Sequence, residues 1–143
     1  MNLEALRTQL KRHEGLRLHA YSCPTGHKTI GYGHNLEAHG QLHIDECTME
    51  QAEAWLDEDI QDAIAVVKKF INASTWERMG DVRQRVLVDM AFAMGENLGQ
   101  FKKMLRAVYE GRWLDAAASI RNSLFARQTG NRAVELERMM LNG

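Results

Sequence analysis

The sequence predicts a mainly α-helical (α+β) fold, with a small antiparallel sheet in an N-terminal lobe and a helical C-terminal lobe joined to it by one long helix. Three observations lead there. Apolar residues recur at spacings of three and four through most of the chain. One stretch, residues 16–35, instead alternates polar and apolar side chains around a turn containing Pro and Gly. One helical pattern also runs unbroken from about residue 48 to about residue 71. The 143 residues, 45% of them hydrophobic, are enough for one domain or two small lobes with a real core. With one Pro, eleven Gly and no biased tract, the chain is expected to be ordered nearly end to end, without linker or repeat.

In chain order, Leu3, Leu6 and Leu10 lie at helical spacing among charged residues. This reads as a helix rather than the continuous apolar core of an export signal. LRLHAYS and KTIGYGHN, separated by CPTG, form the pattern of a hairpin, the only β signal in the chain. Thr48 followed by Gln51 is a capping box, and Ala52, Trp55, Leu56, Ile60, Ile64, Val67 and Ile71 continue one apolar stripe. At ~1.5 Å per residue this helix is about 35 Å long, enough to connect two lobes. Val82, Val86, Met90 and Met94 mark a helix ended by Gly95, and Phe101, Leu105 and Val108 one ended by Gly111. Trp113, Leu114, Ala117 and Ile120 give another, and Ala133, Leu136 and Met140 the last, entered through QTGN. The tryptophans and methionines fall mostly on these stripes, which assigns them to core packing and leaves no cofactor box.

Charge is uneven although the net value is -1. Residues 45–62 hold eight acids and no Lys or Arg, whereas residues 99–143 hold eight bases against four acids. These read as solvated helix faces, with the alternative that a basic C-terminal lobe draws the protein to an anionic polymer such as cell wall. Nucleic acid is disfavoured, because the bases are not interleaved with aromatics and the chain is slightly acidic overall. No window approaches the ~18 apolar residues needed to span a bilayer, so synthesis in a cytoplasm without stable membrane association is expected. Two cysteines are too few for a disulfide scaffold, and Cys47 reads as a small buried apolar residue.

The chemistry concentrates in HEGLRLHAYSCPTGHKTIGYGH, where Glu14, Cys23 and Thr29 set an acid, a thiol and a hydroxyl around one glycine-rich turn. This is a hydrolytic pattern with an unusual member, since cleavage between sugars normally calls on two carboxylates. Glu14 is the candidate proton donor, placed at a helix end where desolvation favours its protonated form. Cys23 is a conditional base, only a few per cent ionised at pH 7 at its reference pKa of ~8.5 unless His19, His27 or Lys28 lowers it. Thr29 is positioned to orient water. A protease-type cysteine lacks a local signature. Zinc at Cys23, His27, His43 and Cys47 has ligand types at plausible separations but none of the usual Cys-x2-Cys pairs, and no metal or cofactor is assigned.

The segments HEGLRLHAY, TIGYGHNL, VDMAFAMGE, GRWLDAA and QTGNRA, in this order and at these separations, resemble the phage-type lysozyme family. The resemblance covers residue 1 to about residue 140, with a shortened loop near residues 37–46. It implies a single lysozyme-like domain: an N-terminal lobe of about residues 14–50, a connecting helix of about 48–71, and a helical C-terminal lobe of about 72–143 that also takes in helix 1. It implies an active-site cleft between lobes and hydrolysis of the β-1,4 bond between N-acetylmuramic acid and N-acetylglucosamine in peptidoglycan. By this resemblance Glu14 is the general acid and Thr29 holds water. Cys23 stands where the family's best-known member has a catalytic aspartate, and related endolysins share the Glu, Cys and Thr set. His34 is implied to pair with Asp59, and Arg132 to approach the catalytic glutamate. Phe92, Asn35, Met104 and Ser119 fall on substrate-contact positions, the last three with altered residue types. Gly130 replaces the family's usual proline. A monomer acting on the host wall, released from the host cytoplasm by a separate membrane-permeabilising (holin-type) protein, completes the expectation. A lytic transglycosylase and a wall-binding module without catalysis are the alternatives.

Overall fold

The computed structural model describes residues 1–143. The elements are α1 (Leu3–Glu14), β1 (Arg17–Ser22), β2 (Lys28–Gly31), β3 (His34–Asn35), α2 (Met49–Phe70), α3 (Ala73–Met94), a 3-10 segment (Gly95–Gln100), α4 (Lys102–Tyr109), α5 (Trp113–Arg121), α6 (Leu124–Thr129) and α7 (Asn131–Asn142). The fold is mainly α with one small antiparallel sheet. Backbone contacts divide the chain into a first unit, residues 3–61, and a second unit, residues 62–143 with Met1 and Asn2.

In the first unit the sheet order is β1-β2-β3, with Tyr21 opposite Thr29 and Ile30 opposite His34. The sequence pattern suggests one returning strand over KTIGYGHN. The chain instead reverses at Gly31 and Gly33, whose φ values of 66° and 72° favour glycine, and β3 pairs back on β2. A further backbone segment extends the sheet on its other side. Ala20 N–H donates to Asp45 O and Cys47 N–H to Leu18 O, at 2.8 and 2.9 Å, with His19 bridged to Glu46. Ile30, Leu36 and Trp55 form a buried cluster under the sheet, against which Ala20, Ile44 and the half-buried Cys47 pack. Burial pushes the Cys47 thiol pKa up, as expected of a sulfur acting as an apolar filler.

The Thr48 cap at the start of α2 is present, with Gln51 N–H donating to Thr48 Oγ1 at 3.1 Å. The acidic stretch is more than a solvated face. Glu53 accepts from Arg7 and Lys11, and Asp57 from Arg7, so the acids of α2 dock the cations of α1. These pairs give a physical reason for α1 to belong by contact to the first unit, where the sequence reading groups it with the C-terminal lobe.

In the second unit, Val86, Leu87, Val88, Met90, Leu98, Met104, Ile120, Leu136 and Met140 are fully buried. Gly95 ends α3 with its N–H on Ala91 O. Two features lie outside the sequence reading. α3 begins earlier, at Asn72, whose side chain accepts from Thr75 N–H, and it breaks at Gly80 (φ 74°) before resuming along the Val86–Met90 stripe. The short α6 is capped by Ser123, which accepts from Ala126 N–H at 3.1 Å. Gly130, between α6 and α7, has φ 56°, and its N–H closes α6 on Ala126 O. A proline, fixed near φ -65° and without an N–H, does not fit this backbone.

Candidate functional site

The site is built in the first unit from a helix end and two tight turns. α1 delivers Glu14 at its last residue, half-buried. Gly33, at the β2–β3 reversal, packs its backbone directly on that side chain. A Cβ built on Gly33 falls 2.8 Å from Glu14 Cδ, closer than real Cβ contacts allow. The left-handed φ favours glycine here, and any larger residue would push the Glu14 carboxyl aside.

The β1–β2 turn carries Cys23. Its N–H donates to His27 O at 2.9 Å, and Gly26 N–H, with φ 85° at that residue, donates to Cys23 O at 2.8 Å. Pro24, Thr25 and Gly26 thus make a three-residue hairpin loop ending in a left-handed glycine. The half-buried sulfur lies 3.0 Å from Thr25 Oγ1. Desolvation raises the thiol pKa. Hydrogen bonds from the Thr25 hydroxyl, the His27 and Thr25 backbone N–H groups and the Thr29 hydroxyl outweigh it, and the net result is a fall from 9.0 to about 7. His27 itself is bound to Glu37 at 2.8 Å, which raises the imidazole pKa.

Thr29, on β2 and 4% exposed, donates its hydroxyl to His27 O at 2.9 Å. Tyr21, opposite it on β1, links the acid to the thiol. Its phenol pKa is raised first by burial, then by the Glu14 charge, and further by Cys23, with Arg17 above the ring opposing. Glu14 and Cys23 thus both act electrostatically on Tyr21.

Behind the turns, His34 is 1% exposed, with Nδ1 at 2.7 Å from Asp59 Oδ2 and Nε2 at 2.7 Å from Gln41 Oε1. Both ring nitrogens face oxygen atoms, an arrangement that favours the doubly protonated imidazolium. Burial works against that charge, but the Asp59 and Gln41 hydrogen bonds outweigh it and raise the His34 pKa. The ring is stacked between Trp55 and His39, at centroid distances of 4.5 and 4.4 Å. His34, His39 and Asp59 are ligand types in one place. However, two imidazoles stacked 27° apart do not aim their lone pairs at a common point, and the geometry suits a proton better than a metal. The four zinc candidates of the sequence reading are not gathered either: Cys47 packs in the apolar cluster, and His27 is engaged by Glu37.

In the second unit Arg132 donates Nε–H to Asp89 at 2.8 Å, and Asp89 is fully buried. An open groove of about 1190 Å³ in the same unit is lined by Phe101, Lys102, Arg106, Arg112, Ser119 and Phe125, among others, with the fully buried Met104 beneath. Ser119 and Met104 therefore meet at one groove, whereas Phe92 is half-buried outside its lining. Asn35 belongs to the first unit, where its side chain accepts from Ala38 N–H at 3.0 Å.

Tyr21, Thr25, Gly33, Gln41 and Asp89 escaped the sequence reading. Two of them had a signal. Asp89 is a lone acid inside the apolar run VLVDMAFAM, a pattern that calls for a buried partner, and Gly33 is the second glycine of GYG.

The phage lysozyme family model matches residues 11–138. The chain is 32% identical to the endolysin of Acyrthosiphon pisum secondary endosymbiont phage 1, over 86% of this chain and 80% of that one. It is 30% identical to the pre-baseplate central spike protein of Enterobacteria phage T4 over 94% of its own length, but spans only 27% of that protein. It is 26% identical to probable T4-type lysozyme 1 of Dictyostelium discoideum over 92% of this chain and 90% of that one. With nine-tenths of its length matched by one family and a sheet, turns and helices of the kind its sequence implied, this chain belongs to the phage lysozyme family.

Proposed function

We propose that the protein is an endolysin-type muramidase that hydrolyses the β-1,4 bond between N-acetylmuramic acid and N-acetylglucosamine in bacterial peptidoglycan. The observation that carries this reading is a carboxylic acid, Glu14, at the end of α1 followed by a readily ionised thiol, Cys23, in the β1–β2 turn, both acting electrostatically on Tyr21. Family membership and relatives named endolysin and lysozyme support it.

In this reading Glu14 protonates the leaving oxygen, and the bare backbone of Gly33 leaves room for its carboxyl. Cys23 supplies the opposing negative charge. With a pKa of about 7 the sulfur is about half ionised at neutral pH, against a few per cent for an ordinary thiol. The thiolate stabilises the oxocarbenium-like centre or accepts a proton from water. Thr29 keeps the loop carbonyl of His27 in place and presents its remaining lone pairs.

One specific observation favours a second reading. A thiol stands in the turn where a second carboxylate would serve, and a lytic transglycosylase needs only one carboxylate, because the sugar's own 6-hydroxyl attacks. Mass spectra of digested purified peptidoglycan separate the two, since hydrolysis leaves reducing ends and transglycosylation leaves anhydro ends. In the same digestion Cys23→Ser is expected to be weakened, and Cys23→Asp to stay active with its optimum at lower pH, following the lower reference pKa of a carboxylate, ~3.9. Full activity of Cys23→Ser at every pH would overturn the thiolate role.

No helix is long and apolar enough to cross a membrane. The proposed site of action is the wall, reached from the host cytoplasm through a membrane opened by a separate holin-type protein. Lysis of cells that express this chain alone would refute that dependence.

A further inference from the structure

Two hydroxyl side chains act on the Cys23 sulfur, and they differ in where their protons go. The Thr29 hydroxyl donates to His27 O at 2.9 Å, so its single proton is shared between a carbonyl and the sulfur. Thr25 Oγ1 lies 3.0 Å from Cys23 Sγ, a close approach of the kind charge-assisted hydrogen bonds make. Backbone groups of Thr25 and His27 also favour the ionised sulfur, and against a thiolate, which can only accept, the Thr25 hydroxyl is the partner with a proton to give. The loop is built for this. Pro24 fixes the backbone ahead of Thr25, Gly26 supplies the left-handed residue after it, and Cys23 N–H closes on His27 O.

We propose that Thr25 is a positioning residue, its hydroxyl donating to Cys23 Sγ so that the turn holds the sulfur as an oriented thiolate. The proposal rests on the muramidase reading for its consequence in catalysis, but not for its chemistry. The other titratable groups facing the turn are Tyr21 from β1, with Glu14 and Arg17 beside it, and His27 with Glu37 at the loop exit. Of the groups around the sulfur, only Thr25 can be changed without altering a charge or an established site residue.

The test titrates the sulfur directly. Full-length wild type, Thr25→Val and Thr25→Ser are treated with iodoacetamide from about pH 5 to about pH 10, and peptide mapping by mass spectrometry separates Cys23 from Cys47. Wild type is expected to show a Cys23 midpoint of about 7. Thr25→Val should move it up by about one pH unit, slowing Cys23 alkylation at pH 7 about fivefold, while Cys47 is unchanged. Thr25→Ser, which keeps the hydroxyl, should retain the wild-type midpoint. On peptidoglycan, Thr25→Val should lose kcat near neutral pH and recover it at higher pH, with KM little changed. A Thr25→Val midpoint within about 0.3 of wild type overturns the proposal, as does a Thr25→Ser shift equal to that of Thr25→Val. Because alkylation needs no substrate, failure of wild type to release reducing ends would sink the muramidase reading and leave the Thr25 result standing.

Discussion

Each of the two units sets a carboxylate against a largely buried cation, and they differ in whether that cation titrates. In the first unit Asp59 meets His34, in the second Asp89 meets Arg132, with carboxylates 13% and 0% exposed. An arginine stays charged at any pH a protein survives, whereas a histidine changes charge near neutrality. The pair beside the proposed site is therefore the pH-sensitive one, and the pair in the helical unit is constant. The same contrast runs through the rest of the molecule. The first unit is made of reversals at glycines and hydrogen-bonded turns that aim polar atoms, and the second of apolar stripes with a groove at their surface.

The largest effect that would sharpen this division is in the chemistry. Glu14→Gln keeps the shape of the acid but cannot deliver its proton, and is expected to lower the rate of reducing-end release by roughly 10²- to 10⁴-fold. Its unfolding midpoint should stay close to that of wild type.

Asp89→Ala should cost about 3–5 kcal/mol in urea unfolding, because it leaves a largely buried arginine without that carboxylate. The loss is expected to be the same at about pH 6 and about pH 8, since the guanidinium does not titrate. A strong pH dependence would break the comparison.

His34→Asn tests the other pair, with an expected cost of about 3 kcal/mol at about pH 6. The sign follows from the raised folded pKa of His34. The charged pair contributes fully below the unfolded histidine pKa of ~6.5, and its contribution is lost as pH rises through the higher folded value. Wild type and His34→Asn should therefore converge in stability at alkaline pH. A gap that stayed constant would show that stacking on Trp55 and His39, rather than charge, holds the residue.

The smallest effect separates backbone from chemistry. Gly33 and Gly40 have φ values of 72° and 66°, but a Cβ at Gly40 meets nothing within 4 Å, whereas one at Gly33 meets the Glu14 carboxyl. Both alanine variants should lose about 1–2 kcal/mol of stability from the left-handed backbone. Only Gly33→Ala should lose kcat, because it moves the acid. Equal activity of the two variants would remove Gly33 from the site.

The parts legible in the sequence are those that follow from spacing. The Thr48 cap, the stripe from Ala52 to Ile71, the Gly95 stop and the CPTG turn each rest on periodicity or on one residue's backbone preference, and each stands in the structure. β3 was hidden because KTIGYGHN alternates like a single strand, and only pairing of Ile30 with His34 shows that the glycines reverse it. α6 was hidden because six residues are too few for a period to declare itself. Gly130 reads in the sequence only as a replacement for the family's usual proline, yet its positive φ favours glycine there.

The site divides in the same way. That Glu14, Cys23 and Thr29 belong to one short segment, and that a thiol replaces a carboxylate among them, is written in the chain. How ionised the sulfur is, and which hydroxyl serves it, was decided only by folding. Those properties depend on distances of about 3 Å between side chains and backbone groups, and hydrogen bonds and desolvation act at that range, whereas sequence spacing does not report it. The amino-acid order fixed which groups are present and on which elements. The tertiary structure fixed which of them touch.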